Sequence, residues 1–144
     1  MNIIFLDIDG VLNCHDLLYR EGMDAIGDEF LDRLRHIVSR TEAQLVLSSM
    51  WRLSEKNLNL VKKALSTRNL VLLDCTIEIE RGWEFVRRSE EIQEWLDRHP
   101  EVQKFAILDD WDDAAINGNF FQTNMDDGLT DEIAKKIMEH FKNE

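Results

Sequence analysis

Two of the acidic pairs in this sequence each stand directly behind an apolar run. Asp7 and Asp9 follow the first run in the string Phe5-Leu6-Asp7-Ile8-Asp9-Gly10-Val11-Leu12, and Asp109 and Asp110 follow residues 104–108. A third apolar run, Gln44–Leu47, ends in Ser48 and Ser49. Carboxylates can serve as acid, base or hard-cation ligand. Hydroxyls with adjacent backbone N–H groups suit phosphate oxygens, because they bind them without adding a competing charge. Polarity scattered over a surface does not collect at three corresponding positions, so the pattern points to one site. An Asp-x-Asp-Gly string by itself also describes a turn or a calcium loop. An EF-hand, however, would need an oxygen ligand at Val11, a glycine at Leu12 and a helix in front.

These groups meet only if the chain delivers them on neighbouring elements. Residues 2–6 are short, apolar and partly β-branched, which suits a buried strand better than a helix. From Asp28, expected as an N-cap, the residues Phe30, Leu31, Leu34, Ile37 and Val38 recur at helical spacing among charges. Gln44–Leu47 is the second strand. A helix from Ser54 carries Leu58, Leu60, Val61 and Leu65, and residues 70–73 form the third strand. Residues 75–88 have no clear period and read as loop, with a short strand over 76–79 as an option. Ser89 is expected to cap a helix with Ile92, Trp95 and Leu96 on one face, ended by Pro100. Residues 104–108 make the fourth strand, a turn or short helix follows Asp110, and residues 120–123 make the fifth. Thr130 opens a last helix with Ile133, Ile137, Met138 and Phe141 facing inward. The alternation predicts an α/β, Rossmann-like three-layer sandwich around a parallel sheet of about five strands, since parallel neighbours need crossover connections. Ligands of such sheets sit beyond the carboxyl ends of the strands, where all three polar clusters fall.

A chain of 144 residues fits one domain, expected over 1–144. With 44% hydrophobic and 32% charged residues and no repeat of fixed period, it reads as globular. The N-terminal apolar run is too short for a signal-peptide core and no later run approaches a membrane span, so a cytoplasmic location and no membrane partner are expected. Cys14 and Cys75 lack metal-binding spacing and are expected to be reduced. A net charge of -12 argues against stable nucleic-acid or anionic-membrane binding, which lysine and arginine drive, while leaving room for a small basic site.

The string around Asp7 resembles motif one of the haloacid dehalogenase-like (HAD) superfamily. Leu45-Val46-Leu47-Ser48 resembles motif two and Ile107-Leu108-Asp109-Asp110 motif four, in the superfamily's order over residues 2–130. Two further segments, Ser48-Ser49-Met50-Trp51-Arg52 and Asp126-Asp127-Gly128-Leu129-Thr130, look like the small capless type found in Swiss-army-knife RNA repair-like proteins. The resemblance implies a phosphohydrolase. Asp7 would be the nucleophile that forms an aspartyl-phosphate, and Asp9 the acid that protonates the leaving group and then activates water. Ser48, or Ser49, would bind a phosphoryl oxygen. Mg²⁺ would sit between Asp7, the backbone carbonyl of Asp9, Asp109 and Asp110. That ion demands octahedral oxygen ligation and screens the repulsion between an anionic nucleophile and an anionic substrate. The family's third motif is usually a lysine; here Arg88 is the best-placed cation, with Arg87 and Lys104 as alternatives, and an arginine stays charged. Arg52 is expected to contact substrate phosphate, and Trp51 to pack rather than stack on a base. Asp112 and Asp113 are expected to face solvent or to stand just behind the metal ligands. The Asp126 segment needs no chemistry beyond a turn and an N-cap. A receiver domain would show the reverse order, with its acidic pair early and its phosphoryl acceptor near mid-chain.

Neither gap that usually holds a cap domain, after Asp9 or after residue 73, has room for a large one, so an open site with minimal or no cap is expected. An open site suits bulky substrates, and small ones would need closure by a partner or by residues 14–27. The sequence thus predicts a Mg²⁺-dependent phosphomonoesterase acting on a phosphorylated substrate, a nucleotide or a polynucleotide end. The alternative is a non-catalytic phosphate- or partner-binding module that keeps the fold. Such a module would have no need of Asp7, Asp9 and the Asp109/Asp110 pair together.

Overall fold

The computed structural model describes residues 1–143. Five strands, β1 (Asn2–Leu6), β2 (Gln44–Leu47), β3 (Leu72–Cys75), β4 (Lys104–Asp109) and β5 (Phe120–Gln122), form one sheet in the order β3-β2-β1-β4-β5. Every pairing is parallel. The helices α1 (His15–Glu21) and α2 (Asp28–Thr41), α3 (Glu55–Ser66) and α4 (Arg88–Asp97) fill the first three crossovers, and α5 (Asp131–Lys142) follows β5. This is the expected α/β, Rossmann-like architecture. Among the described residues no helix is long and apolar enough to cross a membrane.

The two-residue period of the strands divides the core between two layers. Ile4 and Leu6 of β1, Leu45 and Leu47 of β2, and Ala106 and Leu108 of β4 pack with α2, α3 and α5 through Phe30, Leu34, Ile37, Val61, Leu65 and Ile137. Ile3, Phe5, Val46 and Ile107 face the other way, onto Ile92 and Trp95 of α4. Trp95 meets the Phe5 ring edge-on at 5.5 Å, and its indole N–H donates to Asp74 Oδ2 at 2.9 Å. Because β1 is buried on both faces at the centre of the sheet, the residues at its carboxyl end are held firmly.

Boundaries differ from expectation where local chemistry and packing disagree. The N-cap of α2 is Gly27, and Asp28 is its first helical residue. A Cβ at Gly27 would stand 2.8 Å from the Phe30 ring, so the capping position is too crowded for a side chain. The cap of α4 is Arg87 rather than Ser89: the Glu90 carboxylate accepts from the Arg87 backbone N–H at 2.9 Å. Strand β3 lies two residues later than expected. Leu70 is drawn into closing α3, its N–H donating to Leu65 O, and β3 is an edge strand whose apolar pattern is weak. No strand forms over residues 76–79, and α1, unanticipated, buries only Leu17 and Leu18. Ser54 and Thr130 cap α3 and α5 as expected, accepting from Asn57 N and Ile133 N.

Candidate functional site

The central pair of strands creates the first part of the site. Leu6 stands opposite Leu108, and the Asp7 N–H donates to Leu108 O at 3.0 Å, so Asp7 and Asp109 leave the sheet side by side. The chain then turns at Gly10, whose φ of +77° favours glycine and where a Cβ would come within 2.8 Å of Asp110 Oδ2. Absence of that side chain lets the turn lie against Asp110. One carboxylate oxygen each from Asp7, Asp109 and Asp110 falls within 4.8 Å of the others. Burial first, and then the neighbouring Asp109, hold the Asp7 carboxyl well above the usual carboxylate range, against the pull of Arg88. Burial likewise pushes Asp109 up to about 7. Such crowding of acids is unfavourable without a cation, and the three hard oxygen donors fit a divalent ion of the magnesium class.

The Asp9 carboxylate stands outside that cluster and is held separately. Trp51 Nε1–H donates to its Oδ2 at 3.1 Å, and Asn13 Nδ2–H to its Oδ1 at 2.9 Å. Asn13 also accepts from Gly10 N at 2.9 Å, so the same amide braces the turn and the acid. Trp51 packs in the core, as expected, and contributes in addition a polar handle that the sequence does not announce. Asn13 was not foreseen. Its only signal is a lone amide inside the apolar stretch Val11-Leu12-Asn13-Cys14, where it is fully buried.

At the end of β2 the two serines separate. Ser49 lines the cleft, and its Oγ accepts from Trp51 N at 3.2 Å. Ser48 Oγ is buried with no hydrogen-bond partner among the described residues, a costly state for a hydroxyl unless a ligand oxygen meets it. Of the three candidate cations, the structure brings Arg88 close. It lowers the charge cost at Asp7 and Asp109, and its Nη1 donates to Ser48 O at 2.6 Å. Lys104 is at the far end of β4, bound to His140 O, and Arg87 is exposed. Asp113 lines the cleft and its carboxylate accepts from Arg88 N at 3.2 Å. Asp112 is exposed.

Arg52, expected to contact substrate phosphate, lines the cleft, and its guanidinium is also held by the chain itself. Its guanidinium donates to Thr76 O, Ser49 O, Ile77 O and Glu91 Oε1, at 2.8, 2.6, 3.2 and 3.1 Å. Glu91 Oε2 accepts from Ile79 N at 2.9 Å. The buried Arg52–Glu91 pair therefore ties down the start of the loop between β3 and α4. That loop, rather than residues 14–27, walls the cleft of about 600 Å³ above Asp7, Asp9, Asp109 and Asp110. Residues 14–27 are held elsewhere, with Leu17 and Leu18 in the core and His15 N donating to Met125 O.

The family model described as "HAD domain in Swiss Army Knife RNA repair proteins" matches residues 3–134 of the chain. Among curated proteins, none matches.

Proposed function

We propose that this chain, which belongs to the HAD domains of Swiss Army Knife RNA repair proteins, is a Mg²⁺-dependent phosphomonoesterase working through an aspartyl-phosphate on Asp7. The observation that carries this reading is the division of the carboxylates: three converge within 4.8 Å, while Asp9 is oriented apart from them by two donors of its own. That is the arrangement an ion-assisted nucleophile and a separate proton carrier require.

Asp7, Asp109, Asp110 and the backbone carbonyl of Asp9 would hold the ion. When bound, it offsets the repulsion between the Asp7 carboxylate and the substrate phosphate. An Asp7 oxygen attacks phosphorus, the bond from phosphorus to the leaving oxygen breaks, and Asp9 gives that oxygen its proton. Asp9 then takes a proton from water, the water oxygen attacks the phosphorylated Asp7, and inorganic phosphate leaves with Asp7 regenerated. Ser48 Oγ, free of any protein partner among the described residues, and Ser49 with its neighbouring backbone receive the non-bridging oxygens. Arg88, anchored on Ser48 O, supplies the positive charge nearest to the nucleophile. Arg52 acts through the loop it holds.

A nucleotide or nucleic-acid end is the substrate class that the family's description favours. The test is phosphate release, with and without Mg²⁺, from nucleotides, sugar phosphates and end-phosphorylated oligonucleotides. Asp7→Asn is expected to lower turnover by about three orders of magnitude or more. Turnover surviving that substitution would remove Asp7 as nucleophile. No release from any substrate, with Mg²⁺ still bound, would favour a binding module.

A further inference from the structure

We propose that the cleft is shaped for a single nucleotide, a phosphomonoester whose leaving group carries a planar aromatic ring, and that it disfavours the end of a polynucleotide. The inference rests on the phosphohydrolase reading above and names its substrate class. The floor of the site engages only a phosphoryl group, yet the cleft holds about 600 Å³, the size of sites that take whole small molecules. Three large apolar side chains from three segments line the remainder: Met50 beyond β2, Phe85 in the loop before α4, and Trp111 beyond β4. They are 64%, 68% and 66% exposed, so nothing in the described chain covers them. Apolar area left in water beside a phosphate site is a ready platform for a base. Trp111 is two residues past Asp109, and its backbone N–H donates to Asp109 Oδ1 at 3.0 Å. Phe85 precedes Arg88 by three residues. Both rings line the same cleft as Asp7, Ser49 and Arg88.

Charge decides between monomer and polymer. Glu78, Glu80, Glu84 and Asp113 line the same cleft. Its three arginines are already engaged: Arg81 with Glu90 at 2.7 Å, and Arg52 and Arg88 with Glu91 and backbone carbonyls. A run of phosphodiesters needs unengaged lysine or arginine to replace its counterions. Here a second or third phosphate would meet carboxylates instead, which repel it.

The experiment compares adenosine 5′-monophosphate, ribose 5-phosphate and a 5′-phosphorylated oligonucleotide, all with Mg²⁺. The first two share the same reacting alcohol and differ only in the base. Turnover by the wild-type chain and calorimetric binding to Asp7→Asn are both measured. The nucleotide is expected to exceed the sugar phosphate by about tenfold or more in kcat/KM and in affinity, as one stacked base warrants, and to exceed the oligonucleotide. Phe85→Ala and Trp111→Ala are expected to bring the nucleotide-to-sugar ratio toward one, while Trp111→Phe, which keeps a ring, preserves it. Equal handling of nucleotide and sugar phosphate would overturn the proposal. So would a preference for the oligonucleotide that falls steeply with salt, or a ratio untouched by either alanine. Absence of turnover throughout would count against the phosphohydrolase reading alone, since the binding comparison still decides whether the base is recognised.

Discussion

The floor of the cleft and its wall are built on different terms. Asp7 and Ser49 lie just past β1 and β2, and Asp109 closes β4, three adjacent strands whose residues are largely buried and whose relative positions a parallel ladder fixes. The wall, residues 76–86, has neither helix nor strand, and its Trp83 is fully exposed. It is tied at its base by Arg52 and Glu91 and along its length by the Arg81–Glu90 pair. Rigid backbone is spent where reacting atoms must be placed closely, and loop where the contact is with the variable part of a substrate.

The sharpest way to break that contrast is to release the wall. Arg52→Met removes the shorter of the two ion pairs of the buried Glu91, leaving Arg88 at 3.6 Å, and takes away the donors that hold the Thr76 and Ile77 carbonyls. Urea unfolding is expected to show a loss of about 3 kcal/mol or more, with early hydrogen exchange at residues 76–79. Unchanged stability would mean that the loop stands by its own contacts. A smaller effect is expected on the floor from Trp51→Phe, which keeps the packing and removes one donor from Asp9. Its kcat should fall by about tenfold or more, with KM little changed, as for a charged hydrogen bond worth roughly 1.5 kcal/mol or more. A rise in KM at constant kcat would assign the indole to binding instead.

The floor should also respond to acid in a way the wall does not. Because Asp109 is pushed up to about 7, a cation entering the cluster must displace a proton below that pH. Mg²⁺ affinity should therefore weaken as pH falls through about 7, by up to about tenfold per unit for one proton. In the ion-free protein the sign is opposite. The folded state binds more protons than the unfolded chain between its ordinary value and about 7, so this group favours folding less as pH rises. Titration calorimetry across this range checks the first statement, and a pH-independent affinity would show that the carboxylates enter already ionised. The smallest effect belongs to the tip of the wall. Trp83→Ala should shift stability by less than about 0.5 kcal/mol in thermal unfolding, because the ring touches little. A larger loss would reveal order that the exposed tip does not suggest.

The sheet and its polar edge are written in local pattern. Continuous apolar runs mark β1, β2 and β4, and each is followed at once by Asp7, Ser48 or Asp109, so the polar edge of the sheet is legible from strand pattern alone. Helix α1 is not, since seven residues with two buried leucines show no period. Neither is the capping of α2, where Phe30 and Leu17 crowd Gly27 and override the preference for Asp28. How the cations and donors are used is settled only in the folded chain. Arg52 is 24 and 39 residues from Thr76 and Glu91, and Trp51 is 42 from Asp9. No local spacing encodes such partners. They are chosen by which strand ends lie side by side and by the need of each buried donor and charge to be met, conditions that folding satisfies all at once.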